Sequence, residues 1–327
     1  VAPVLAQQSM RELGLTGRTF YDVIDAATFA VFQTGFARGF GADGDHLKTF
    51  EDIAAALEAG CTMITLDCSE HIHKNAADAP GIYGGAIDFA QRVYDAFFKD
   101  SRCEADLEIS IDETDAPTSP EQHRYIAGEL MARGGKFATL APRFCGEFQK
   151  GIDYIGDLAR FEREIEAHAA IARKFGYKLS IHSGSDKFSV FPLIQKHVEG
   201  RFHLKTAGTN WLEAMRVVAR KDPALYREAH ALALESFEQA RRYYHVTTNL
   251  SNIPPLEKLA DEELPALFDQ NDARQLVHIT YGFLLGEASL KQKLYSLWRR
   301  ERSAYGDALF SHIGRHIALI TGKPLRG

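Results

Sequence analysis

With 327 residues, 45% of them hydrophobic and 25% charged, the chain has ample apolar material for one large core, which excludes a disordered polymer. Its 44 acidic against 38 basic side chains leave a net charge of −6, so the basic stripe selected by nucleic acid or an anionic membrane is missing and neither is an expected partner. The length suits one (β/α) barrel of about 250 residues with a helical appendage.

Short apolar runs ending in polar residues alternate with longer segments of helical periodicity, the signature of repeated βα units around a parallel sheet. Strands are predicted at 3–8, 36–43, 61–67, 105–112, 136–142, 177–183, 201–207 and 244–250, which makes eight. Amphipathic helices are predicted between them at 22–33, 49–60 and 158–176, the last two ending on the glycine expected just past a helix C-terminus. Beyond residue 250 the pattern becomes helical, at 252–268 and from 271 to about 320. The expected organisation is therefore a (β/α)8 TIM-type barrel over 1–250 and a C-terminal helical extension over 251–327.

Cys61, Cys68, Cys103 and Cys145 form neither a disulfide framework nor a CxxC pair and are expected to be reduced. No run reaches the roughly 18 apolar residues of a membrane span and no charged-apolar leader opens the chain, so the expected location is the cytoplasm. Valine stands first, two positions before a strand, and native sequence is expected to precede it.

In a (β/α) barrel the chemistry sits where strands end. Ionisable side chains crowd those positions: Asp43, Asp45 and His46; Asp67, Glu70 and His71; Asp112 and Glu113; Arg143, Glu147 and Lys150; His182, Ser183, Ser185, Asp186 and Lys187; His203 and Lys205; His245 and Asn249. A single histidine at a strand end is ordinarily a hydrogen-bonded structural group, and an aspartate before a helix is ordinarily an N-cap, which is how Asp52 and Asp272 are read. HSGSDK at 182–187 also reads as a tight turn. Capping does not account for the whole set, because ionisable groups packed together require a compensating charge. Histidines with a carboxylate suit a divalent Zn, Mn, Fe or Co ion. Arg143, Lys150, Lys187 and Lys205 add positive charge that fits an anionic ketose. No G-x-G-x-x-G opens a helix and no GxxxxGK[ST] occurs, so a nucleotide cofactor is not expected.

The segments AQQSMREL (6–13), GADGDHLK (41–48), DETDAPTSPEQHRYIAGEL (112–130), APRFCGEFQKGIDYIGD (141–157), KLSIHSGSDKFSVFPLI (178–194) and HLKTAGTNWLEAM (203–215) resemble the tagaturonate/fructuronate epimerase family over most of the chain. The resemblance implies a metal-dependent C4 epimerisation between D-fructuronate and D-tagaturonate in hexuronate catabolism. PVLAQQS, GDHL and ITLDCSE are more distantly similar to class II aldolases and to the non-catalytic partner subunit of tagatose-bisphosphate aldolase. Carried over from the aldolases, Asp45 is the proton-transferring residue, His46 and His182 are metal ligands, and His203 is the third ligand, with His245 or Glu147 as its substitutes. Glu147 is the partnering acid, with Glu113 its rival. Arg143, Lys150, Ser183, Asp186, Lys187 and Lys205 fall to substrate binding. In the aldolase register PVLAQQ is the second barrel strand, the eighth is FHLKTAG, and YHVTTNL is surplus. The same resemblances leave a ketose aldolase and a non-catalytic subunit as alternatives, and a homo-oligomer is compatible with each.

Overall fold

The computed structural model describes residues 1–101, 103–206 and 208–324. Seven strands, β1 (Val4–Ser9), β2 (Gly41–Leu47), β3 (Met63–Asp67), β4 (Asp106–Ser110), β5 (Thr139–Ala141), β6 (Lys178–Ile181) and β7 (Phe202–Leu204), form one sheet in sequential order. Every neighbouring pair is parallel. This is the winding of a (β/α) barrel, but among the described residues the sheet has seven strands and no pairing of β7 back onto β1.

The eighth strand predicted at 244–250 does not form. Its amides are taken by side chains instead: Thr247 N–H donates to Gln149 Oε1 (3.0 Å) and Asn249 N–H to Asp272 Oδ1 (2.7 Å). The segment HVTTN lacks the apolar run that would bury a strand on both faces. Of the strand predicted at 201–207, Phe202–Leu204 pairs and Ala207 lies outside the described residues. The strand predicted at 36–43 runs instead over Gly41–Leu47, so the glycine-rich GADGDHL is itself the strand. A Cβ on Gly44 would lie 2.9 Å from Ala56 Cβ, so glycine there lets the following helix approach.

By contact pattern the chain divides into two units. The first comprises 1–145, 157–182 and 197–204; the second comprises 146–156, 183–196 and 205–327, which are the segments that leave β5, β6 and β7. In the first, α1 (Met10–Thr16), α2 (Phe20–Thr34), α3 (Phe50–Glu58), α4 (Ala79–Val93), α5 (Pro120–Ala132) and α6 (Leu158–Phe175) alternate with the strands. Their ends are fixed by local chemistry. Thr19 and Asp22 form a reciprocal capping box at α2, and α6 starts on the Asp157 cap and stops at Gly176 in the left-handed region (φ 85°). Phe161, Ile165, His168, Ala169 and Ala172 make the buried stripe of α6.

The sheet has two unlike faces. Ile64, Leu66, Leu107, Ile109, Leu140, Leu179 and Ile181 are buried at alternate positions and form its apolar side. At the intervening positions stand Thr65 and Asp67, Glu108 and Ser110, and Thr139 and Ala141, set side by side by the register Thr65↔Glu108↔Thr139 and Asp67↔Ser110↔Ala141. A buried polar row of this kind is costly unless every group is partnered.

The second unit is helical: α7 (Phe191–Val198), whose last two residues group with the first unit, then α8 (Thr209–Lys221), α9 (Pro223–Ala240), α10 (Asn271–Ile279), α11 (Tyr281–Gly286), α12 (Ala288–Arg300) and α13 (Arg302–Thr321). Leu212, Met215, Val218, Tyr226, Phe237, Leu264, Phe268, Leu276 and Leu294 belong to its own core. Trp211 and Trp298 tie helices together by donating their indole N–H to the carbonyls of Val277 (2.8 Å) and Ala214 (3.0 Å). Among the described residues no helix is long and apolar enough to cross a membrane.

Candidate active site

Adjacent strand residues point to opposite faces, so Asp45 and His46 would be separated in a regular strand. They are brought together by a bulge. The β2–β3 register shifts between Gly44 and Leu47, where three steps on β2 match two on β3, and His46 sits at φ 53°. Leu47 thereby returns to the apolar side, fully buried, while His46 Nδ1 lies 2.9 Å from Asp45 Oδ1.

His182 follows the end of β6 on the polar face. Its Nε2 is 2.7 Å from Glu108 Oε1 and its Nδ1 is 3.1 Å from Asp112 Oδ1, and its ring centroid is 5.0 Å from that of His46. Ligand atoms of His46, Asp112 and His182 all lie within 4.8 Å of one another. Beneath them Glu108, wholly buried, also accepts the hydroxyl of Thr139, and Thr65 Oγ1 lies 3.0 Å from Asp43 Oδ1 and 3.3 Å from Glu108 Oε1. Asp67 accepts Ser69 N–H (2.8 Å) and faces the Lys48 ammonium at 3.5 Å.

The charge balance is strongly negative. Asp43, Asp45, Asp67 and Glu108 are buried and Asp112 is partly so, against Lys48 as the nearby lysine. Burial pushes the Asp112 carboxyl up, but His182, His46 and the Ser110 hydroxyl (2.6 Å) outweigh it and hold the group well below the usual carboxylate range. Glu113, solvent-accessible by its own surface, is still pushed above its ordinary value by desolvation among its neighbours and by Asp67 and Asp112. Lys48 loses some charge preference to desolvation, yet Asp67, Glu70 and Glu113 raise it overall.

These residues fit a divalent ion. Each imidazole is fixed through one nitrogen by a carboxylate, His46 Nδ1 by Asp45 and His182 Nε2 by Glu108. The donor set is then two imidazoles and a carboxylate with supporting carboxylates behind them, which suits Zn, Mn, Fe or Co.

Among the described residues His203, expected as the third ligand, is not one of this trio, whose third donor atom comes from Asp112. His203 pairs in register with Ser180, two residues before His182, so it lies one row lower, roughly 6–7 Å along the strand direction. Arg143 donates its guanidinium to the Thr114 carbonyl, and its amide N–H to Thr118 Oγ1 (3.0 Å), holding the loop after β4.

Glu147, Lys150, Ser183, Asp186, Lys187 and Lys205 belong to the second unit. Glu147 Oε2 lies 3.1 Å from His245 Nε2. Lys205 is buried and its carbonyl accepts Gly184 N–H (2.7 Å), while the Lys150 carbonyl lies 3.3 Å from Gln275 Nε2; Ser183 follows His182 at φ 51°. Lys187 does not fit the substrate-binding role predicted for it. Its fully buried ammonium donates to the carbonyls of Gln149 (2.8 Å), Ile152 (2.6 Å) and Ser185 (2.9 Å), which occupy its three protons. Burial pulls that ammonium down to about 7. Asp186 likewise faces protein: Arg274 Nη2 is 3.1 Å and His312 Nε2 2.7 Å from its Oδ1.

Asp186, His312 and His316 also bring ligand atoms within 4.8 Å, but both nitrogens of His316 are already engaged and Asp186 faces the Arg274 guanidinium. His316 Nδ1 donates to the His312 carbonyl (2.9 Å) and its Nε2 accepts Asp186 N–H (3.0 Å). His312 stands between Asp186 and Glu213, whose Oε1 is 3.4 Å from its Nδ1. Burial raises the Asp186 carboxyl, yet His312 and Arg274 together hold it at about 2. This cluster is charge-balanced without an ion.

Sequence reasoning missed Glu108 and left Asp112 out of the ligand set. A signal was available: Glu108, Ser110 and Asp112 alternate with Ile109 and Ile111, an acidic stripe on one face of a buried strand.

A profile of the tagaturonate epimerase family matches residues 1–81 and 75–320. The chain is 43% identical to the tagaturonate/fructuronate epimerase of Thermotoga maritima over 364 aligned positions, which span 98% of this chain and 76% of that protein. The crystal structure of the fructuronate-tagaturonate epimerase of Cohnella laeviribosi superposes with a TM-score of 0.95 at 48% identity, with the same 98% and 76% coverage. Its one-glycerol and two-glycerol complexes match equally well.

Proposed function

The chain belongs to the tagaturonate epimerase family, and from that premise we propose that it interconverts D-tagaturonate and D-fructuronate, anionic ketoses of the cytoplasm, by inverting C4. The observation that carries this reading is the convergence of His46, Asp112 and His182 within 4.8 Å, with Asp45 against His46. A divalent ion held by these three residues supplies Lewis acidity toward the carbonyl and hydroxyl oxygens of a ketose.

Asp45 accepts the proton of the C4 hydroxyl as the C3–C4 bond breaks. The electron pair of that bond stays on the C3 side as an enediolate over C2 and C3, and C4 becomes an aldehyde. The aldehyde turns to present its other face, the C3–C4 bond re-forms, and Glu113 protonates the inverted C4 oxygen. Exchange with solvent then returns Asp45 and Glu113 to their starting states. Glu113 is assigned this step because its neighbours are His46, Asp67 and Asp112, and desolvation with the two aspartates pushes its carboxyl above the ordinary value. Glu147, offered for the step by resemblance, is engaged with His245. Arg143 is assigned to the uronate carboxylate.

Incubation with D-tagaturonate tests the reading. D-fructuronate is expected to form, to stop with chelator, and to resume on adding a divalent ion. Run in deuterium oxide, the product is expected to keep its original hydrogen at C4. No interconversion would overturn the function, and solvent deuterium at C4 would overturn the bond-breaking route.

A further inference from the structure

We infer that Glu108 is a positioning residue of the metal site: it holds the His182 ring so that Nδ1 is the nitrogen turned toward Asp112. The inference rests on reading His46, Asp112 and His182 as the metal ligands. Glu108 lies in the middle of β4, fully buried, on the polar face of the sheet. A carboxylate in that setting is strongly disfavoured unless charge-assisted hydrogen bonds compensate it. Two neighbours do so, His182 Nε2 at 2.7 Å from Oε1 and the Thr139 hydroxyl on Oε2, while Thr65 Oγ1 stands 3.3 Å from Oε1 with its single proton shared with Asp43.

The backbone explains why these neighbours meet. Thr65, Glu108 and Thr139 are register partners on three adjacent strands, so their side chains stand in one row, and His182 reaches down to that row from the end of β6. Thr65 extends the row to Asp43, which accepts the same hydroxyl at 3.0 Å. An imidazole has two nitrogens, and the one bound by a carboxylate sets which one is left for an ion. With Nε2 pinned by Glu108, Nδ1 points to Asp112 at 3.1 Å. Leucine at 108 would remove the acceptor. Glutamine would keep the shape and an acceptor oxygen but remove the charge that makes Nε2 the preferred proton site.

The test is Zn2+ affinity of the full chain, measured by competition with a chromophoric chelator, alongside the thermal midpoint of the apoprotein. Glu108→Gln is expected to weaken Zn2+ binding by about 10- to 100-fold, and Thr139→Val, which leaves the carboxylate in place, by a smaller factor in the same direction. The slowly exchanging downfield Nε2–H proton of His182 in the Zn2+-loaded protein is expected to shift in both variants. Unchanged affinity and proton signal in Glu108→Gln would overturn the positioning role while leaving the ligand assignment intact. Should Glu108→Gln fail to fold, Thr139→Val decides by itself: native-like Zn2+ affinity and an unmoved His182 proton overturn the inference. If the unmodified protein binds no Zn2+, the ligand assignment and this inference fall together.

Discussion

Two clusters among the described residues bring two histidines and an aspartate within 4.8 Å, and they differ in electronic layout, the first being the one that suits a metal ion. In the first, Asp45 and Glu108 each take one nitrogen of a histidine, and the surroundings carry excess negative charge. In the second, His316 uses both nitrogens on backbone groups, and Arg274 neutralises Asp186. Proximity of donor atoms is common to both. What separates them is where each lone pair and each proton goes.

The largest effect that would sharpen this contrast comes from His182→Ala. If His182 is the ligand proposed above, its removal is expected to lower the epimerisation rate by about 10³-fold or more, since Lewis-acid stabilisation is worth several kcal/mol, and to lower the thermal midpoint as well, because Glu108 is left buried without its imidazole partner. Steady-state assay beside calorimetry checks it. A variant that loses stability but keeps its rate would break the contrast from the catalytic side.

Asp186→Ala is the converse. It strands Arg274 and His312 in the interior, so denaturant unfolding is expected to show a loss of about 3–5 kcal/mol. Bound metal per folded chain is expected to stay the same. The pair fixes the segment that follows His182: Asp186 is held at φ 63° between α10 and α13 by Arg274, His312 and His316.

A third use of histidine gives a smaller, pH-dependent effect. His123 and His168 are buried with their Nδ1 atoms 2.8 Å apart, and Tyr177 closes the group at His123 Nε2. Burial pulls His168 down to about 4 from its ordinary 6.5, and burial together with His168 carries His123 well below that ordinary value too. The folded state therefore excludes protons that the unfolded chain binds below pH 6.5. Stability from this pair is complete above 6.5 and is lost as pH falls toward 4, by roughly 3 kcal/mol from His168 alone at about 1.36 kcal/mol per pKa unit. Unfolding measured between pH 7 and 4.5 in the native protein and in His168→Phe checks this, the variant being expected to show the flatter profile.

The sequence made the alternation of strands and helices legible, and with it the strand ends where the ionisable groups cluster. It did not reveal the bulge at His46, because alternation predicts a regular strand and only the three-dimensional register shows three residues set against two. Thr247 and Asn249 looked like strand residues by composition but give their amides to side chains, a tertiary arrangement without local signature. Lys187 and Asp186 sit in a string that resembles the family closely, yet buried carbonyls hold one and an arginine-histidine pair the other. His312 and His316, one turn apart on α13, gave no hint of their partners, since a helix face carries no information about what it packs against.

The most direct test of the central claim is the metal content of the protein reconstituted with Zn2+ and exhaustively dialysed, compared with His46→Ala and His316→Ala. One ion per chain is expected in the native protein and in His316→Ala, and none in His46→Ala. Two ions in the native protein, or loss of the ion in His316→Ala with retention in His46→Ala, would contradict the assignment of the metal site to His46, Asp112 and His182.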